Sequence, residues 1–161
     1  MKVAIYPGSF NPFHNGHADV LNQASKTYDH IYIAIGINPD KSSNGSIEQV
    51  RESIAETTGQ WCAKGYSKYT PLVDVITKTQ YIVQSYSGLL RDYVQPFLLE
   101  KSWNTSIIKG IRDPQDFLYE QKMQYHNEDL GIKIPTFYVI ADRNLVHVSS
   151  SAIRSIEKFK K

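Results

Sequence analysis

Only one cysteine, Cys62, occurs in the 161 residues, so no disulfide can form within the chain and a reducing compartment suits it. A lone cysteine without a nearby histidine is more often inert than nucleophilic. No apolar run approaches the roughly 18 residues of a membrane span, and no charged-then-apolar leader opens the chain. A cytoplasmic protein without membrane contact is expected. Charge of one sign is scarce too: the net charge is +2, and basic residues are dispersed apart from the closing "KFKK". That is no footprint for nucleic acid, so none is expected as a partner. Both common phosphate loops, G-x-x-x-x-G-K-[ST] and G-x-G-x-x-G, are missing. Any phosphate must therefore be held by other groups.

What is present is ordinary globular material, 41% apolar and 21% charged, in a length that suits one domain over residues 1–161. β-branched runs recur at 3–6, 31–37, 80–84, 105–110 and 136–141. Helical patterns separate or follow them at 16–28, 47–58, 87–100, 114–130 and 150–160. Several of the strands are apolar throughout, which marks a parallel sheet covered on both faces. The expected fold is an α/β, Rossmann-like, doubly wound parallel sheet. Pro96 predicts a kink or break in the third helical segment, 87–100. Residues 59–79 fit no clean period and read as an insertion or an extra hairpin.

The chemistry gathers in "YPGSFNPFHNGH", residues 6–17, which joins the first strand to the first helix. Free N–H groups and the helix dipole favour anions at such a junction. Gly8 permits close backbone approach, and Ser9 offers a hydroxyl. His14 and His17 stand three apart, so both rings can serve one ligand, as hydrogen-bond donors that can also carry positive charge as a phosphate becomes more negative. As a metal half-site the pair lacks a third ligand at convincing spacing, and either histidine alone would read as a cap or a core residue. Elsewhere, "KGIR" leaves a strand with Gly110 between Lys109 and Arg112, a pattern suited to triphosphate. Asp116 and Glu120 form an i, i+4 carboxylate pair that, alone, would be a solvated face. Ser149, Ser150 and Ser151 can cap a helix and hold phosphate at once.

"GSFNPFHNGH" resembles the (T/H)-x-G-H signature of the nucleotidyltransferase superfamily, and its "GSFNP" also occurs in mononucleotide adenylyltransferases. The later blocks are more selective. "IIKGIRDPQDFLYEQKMQYHN" (107–127), "SYSGLLRDYV" (85–94), "VSSSAIR" (148–154) and "NPDK" (38–41) with "SIEQVRESI" resemble, in family order, segments of phosphopantetheine adenylyltransferases. The resemblance implies transfer of an adenylyl group from ATP, with Mg²⁺, to 4′-phosphopantetheine, giving dephospho-coenzyme A and pyrophosphate. It implies His17 and His14 at the reacting phosphates, and Ser9, Lys41, Lys109 and Leu90 for the acceptor. It assigns ATP to Ser9, Phe10, Gly110, Ile111, Arg112, Glu120, Leu145, Ser149, Ser150 and Ser151, with no protein-held metal. It also implies a homo-oligomer, a hexamer. Against the family pattern, Lys109 replaces Arg, Asn11 replaces Asp, Ser9 replaces Thr, and Leu145 and His147 stand where aromatics are usual. The alternatives are a nicotinate or nicotinamide mononucleotide adenylyltransferase, and a non-catalytic nucleotide-binding regulator.

Overall fold

The computed structural model describes residues 1–37, 47–58, 72–74 and 76–159. Strand β1 (Lys2–Gly8) leads into helix α1 (Asn15–Ser25), then β2 (His30–Ile37) and α2 (Ile47–Thr58). A two-residue strand β3 (Leu72–Val73) precedes β4 (Gln80–Ser87), α3 (Leu90–Leu99) and β5 (Asn104–Ile111). The chain continues through α4 (Pro114–Asp129), β6 (Thr136–Ile140), a short 3₁₀ turn (Arg143–Leu145) and α5 (Ser150–Lys158). The sheet order is β3-β4-β2-β1-β5-β6, parallel except for β3, which runs antiparallel to β4. Lys41, Cys62 and most of 59–79 lie outside the described residues.

Strand β1 explains why the strands lack alternation. Ala4 and Tyr6 enter the core shared with α1 and α2, beside Leu21, Ile33 and Ile54. Val3 and Ile5 enter the opposite core, with Val94 and Phe97 of α3. Both faces of the strand are buried, so an apolar residue is favoured at every position. The doubly wound reading of the sequence agrees with this sheet.

Two expectations change at α3. The third helical segment starts at Leu90 and not at 87, because β4 continues pairing with β2 as far as Ser87 opposite Ile37. Gly88, at φ +83°, turns the chain between them. Helix α3 also runs through Pro96 unbroken. The ring sits on the exposed side, and the carbonyl it deprives of a donor belongs to exposed Asp92, where water can serve.

Chain order reverses across the sheet between β1 and β5: β1, β2 and β4 run one way, β5 and β6 the other. In open α/β sheets the crevice beyond the carboxyl ends at such a reversal binds ligands. The loop 9–14, the start of α1 and the end of β5 all meet there.

Candidate active site

His14 is the N-cap of α1, with extended backbone at φ −151° and ψ 173°. Its Nδ1 accepts the N–H of Gly16 at 3.1 Å, while Nδ1 of His17 accepts the N–H of His14 at 3.3 Å. Two imidazoles thus perform the reciprocal capping usually done by Ser and Glu. The rings stack at 3.8 Å and 18°. Because both Nδ1 atoms are acceptors, each neutral ring carries its proton on Nε2. The cap therefore sets both tautomers and leaves two Nε2–H donors side by side.

His17 is packed among Phe10 (5.0 Å), Phe13 (5.4 Å) and Tyr6 (6.3 Å between ring centroids). Burial pushes its pKa down to about 3, helped by His14 and Arg112. Burial, then Arg112, brings His14 down to about 4. At neutral pH both rings are uncharged donors. Phe10 itself is buried at φ 45°, a left-handed conformation costly for a bulky side chain. Its ring backs His17, so the side chain faces the core and any ligand contact falls to its backbone. Ser9, one residue earlier, is exposed.

Arg112 leaves the end of β5 and is gripped by Asp116 in a fork, Nε–Oδ2 2.7 Å and Nη2–Oδ1 2.8 Å. The same carboxylate accepts the Arg112 backbone N–H at 3.1 Å, and Nη1 donates to the Val148 carbonyl at 3.2 Å. The hydrogen bonds from Arg112 hold the Asp116 carboxyl below its ordinary range. Lys109 is paired with Glu120 of α4 at 3.0 Å. The two cations flanking Gly110 are therefore each matched by a carboxylate one or two helical turns along α4.

Gly110 has a packing reason as well. A Cβ there would meet Val20 Cγ2 at 2.8 Å, so glycine lets α1 close on β5. The adjacent Tyr6 hydroxyl is buried, and burial followed by the Glu120 and Asp19 carboxylates raises its pKa. Ile111 is also buried, at the end of β5.

The three serines each hold the frame. Ser149 caps α5 by accepting from Ala152 at 3.1 Å, and Ser150 donates to the Pro12 carbonyl at 2.8 Å. Ser151 accepts from Arg154 at 3.1 Å, and Arg154 also donates to the Asn11 carbonyl. The start of α5 is thus tied to the 9–14 loop. Leu145 is half-buried on the 3₁₀ turn, which Asp142 caps. Asp19 anchors that turn by accepting the Asp142 N–H at 2.9 Å. Leu90, at the first position of α3, packs against the core on the other face of the sheet. Among the described residues no group of three or more His, Cys, Asp or Glu could hold a metal ion.

The structure thus brings His14, His17, Arg112 and the 145–151 segment to one edge, with Lys109 and Glu120 paired nearby. Asp116, Asp19, Arg154 and Tyr6 were not singled out as site residues from the sequence. The four-residue spacing from Arg112 was a usable signal for Asp116. Tyr6 and Arg154 lie inside the quoted blocks 6–17 and 148–154 with no role given them there, and nothing in the sequence marks Asp19.

A doubly wound sheet with paired histidines at its first helix and a forked arginine across the switch point defines a class of phosphate-handling enzymes. The chain matches the cytidylyltransferase-like family over residues 5–156. It resembles the phosphopantetheine adenylyltransferase of Clostridium botulinum at 36% identity over 160 residues, 99% of this chain and 86% of that one. The enzyme of the same name from Alkaliphilus oremlandii is also 36% identical, over 159 residues, 99% of this chain and 87% of that one. The chain belongs to the phosphopantetheine adenylyltransferase family. In fold it resembles a nicotinic acid mononucleotide adenylyltransferase of Plasmodium falciparum, with TM-score 0.61 at 16% identity, covering 96% of this chain and 82% of that one. A bifunctional NMN adenylyltransferase/ADP ribose pyrophosphatase from Francisella tularensis gives the same TM-score and identity over 96% of this chain and 41% of that one. No helix among the described residues is long and apolar enough to cross a membrane.

Proposed function

We propose that this protein adenylylates 4′-phosphopantetheine with MgATP, forming dephospho-coenzyme A and pyrophosphate in the cytoplasm. The observation that carries the reading is the stacked His14–His17 pair, whose Nε2–H groups are left free by the cap, beside Arg112. An oxygen of the acceptor phosphate attacks the α-phosphorus in line, and the bond from that phosphorus to the bridging oxygen of the leaving pyrophosphate breaks. The enzyme needs no covalent intermediate; position and charge stabilisation suffice. His17 donates to oxygens that gain charge in the transition state, and His14 supports it on the same phosphates. Mg²⁺ arrives with the triphosphate as part of the substrate.

Arg112 meets the triphosphate, with Gly110 and Ile111 beside it and the amides of the 149–151 turn at the nucleotide. The Phe10 backbone, Glu120 and Leu145 complete that side. Ser9, Lys41 and Lys109 hold the acceptor phosphate, and Leu90 lines the pantetheine arm. Pyrophosphate release from MgATP, measured with each acceptor in turn, tests the reading. Turnover with 4′-phosphopantetheine and none with nicotinate mononucleotide is expected; the reverse preference refutes it.

We also propose self-association, to the hexamer that the resemblance implies. Helix α4 buries none of its residues, and Leu118 and Tyr119 are exposed on it, as Phe137 and Ile140 are on the edge strand β6. Apolar surface of that extent marks a contact face. Sedimentation showing only an 18.4 kDa species at micromolar concentration defeats this part.

A further inference from the structure

A cavity away from the histidines lies between α3 and the sheet and has a volume of about 580 Å³. Its walls are rings: Tyr32 of β2, Tyr93 and Phe97 of α3, and Trp103 just before β5. Asp92 and Glu100 stand at its edge, both exposed, and among the described residues no basic side chain lines it. From this combination we infer a binding site for a small organic cation, an alkylammonium group held over ring faces with two carboxylates at the mouth.

The rings are arranged for this. Tyr32 and Phe97 meet edge to face at 4.8 Å and 87°, and Trp103 lies tilted against both, at 6.3 and 5.9 Å. Tyr93 stacks on Tyr86 at 5.0 Å and directs its hydroxyl to Gln84 Oε1 at 2.9 Å. Rings fixed edge to face keep some of their negative π-faces unpaired, and a cation over such a face is attracted by the ring quadrupole. The Glu100 carboxylate is held by the N–H and hydroxyl of Ser102 at 3.1 and 2.6 Å, which keeps it in place and ionised. A bland reading makes this only the core beneath α3, and Phe97 is indeed buried in it. Core packing explains the contacts between rings. It does not explain a cleft of ligand size bordered by charge of one sign. The cavity reaches away from the carboxyl ends of the strands: Tyr32 lies near the amino end of β2 and Trp103 just before β5, although Asp92 and Tyr93 stand within one turn of Leu90.

The probe is choline, with 3,3-dimethylbutanol as its uncharged isostere, followed by the ring signals of Trp103 and Tyr93 in NMR titrations of the full-length protein. Choline is expected to shift those signals and to bind at least about tenfold more tightly than the alcohol. The shifts should persist when pyrophosphate and dephospho-coenzyme A are present in excess. Combined Asp92→Asn and Glu100→Gln changes preserve shape and should erase the preference for the cation. Equal binding of the two probes overturns the inference, as does no shift at tens of millimolar choline. A third outcome also overturns it: no effect of choline, with the double variant altering the sedimenting mass, shows a cleft covered by a second copy.

Discussion

The ammonium of Lys109 stands 3.0 Å from the carboxylate of Glu120, joining the end of β5 to the middle of α4. Sequence resemblance assigns these residues to different ligands, one to the acceptor phosphate and one to the nucleotide. The geometry makes them partners, with both side chains about four-fifths covered. Any phosphate that engages Lys109 has to compete with Glu120 for it.

Glu120→Gln therefore has effects of opposite sign. Removing the carboxylate releases Lys109, so 4′-phosphopantetheine affinity measured by calorimetry is expected to rise several-fold. The KM for ATP is expected to rise as well, because the nucleotide loses a contact. Stability should fall by about 1 kcal/mol, as for a partly exposed ion pair. Unchanged 4′-phosphopantetheine affinity would show that Lys109 does not reach the acceptor phosphate.

At His14, capping and catalysis can be separated. His14→Asn keeps a side chain able to cap α1, so the melting temperature should stay close to that of the native chain while turnover drops. His14→Ala loses both, with about 1 kcal/mol of stability gone with the cap. His17→Ala should slow turnover by about 10²–10³-fold, the usual effect of removing one transition-state donor. A His17→Ala variant within a few-fold of the native rate would make that ring structural only.

Acid should weaken the fold through the same two rings. In the unfolded chain they bind protons near the ordinary pKa of about 6.5, whereas in the fold they stay neutral down to about 4 and about 3. Between these limits the unfolded state holds more protons, so the contribution of the two rings to unfolding free energy rises with pH from about 3 to about 6.5 and is fully present above that. Urea midpoints at several pH values should show this slope, and combined His14→Asn and His17→Gln changes should flatten it. For the same reason the kcat/KM profile of the native enzyme should show no inflection near 6.5 from these rings.

Gly110→Ala tests packing against chemistry. The new methyl meets Val20 at 2.8 Å between an α1 side chain and the sheet, so a loss of about 1–3 kcal/mol is expected. Val20→Ala in the same chain should restore much of the stability. If activity returns with it, the glycine matters for helix–sheet packing; if activity stays low, the nucleotide needs the bare backbone.

Lys41→Ala should reduce kcat/KM for 4′-phosphopantetheine strongly and leave ATP affinity measured without acceptor almost unchanged. Lys41→Arg should rescue in part only, since a planar fork replaces a compact ammonium. Collapse of ATP binding with acceptor binding intact would reverse the two phosphate subsites.

The amino-acid sequence by itself determined the order and kind of the elements, because period and β-branching are local properties read within each segment. It placed the candidate site loop for a similar reason: Gly8, Ser9, His14 and His17 follow one another along a single strand-to-helix turn. Chemistry that spans the chain was out of its reach. That Arg154 reaches the carbonyl of Asn11, that Asp19 holds the turn after β6, and that Lys109 and Glu120 share a bond all depend on folding distant segments together. The same holds for protonation. His14 and His17 read equally well as charged or neutral in the sequence, and only their burial among Phe10, Phe13 and Tyr6, near Arg112, made them neutral donors. Desolvation comes from the surroundings in space, and those are set by the tertiary structure.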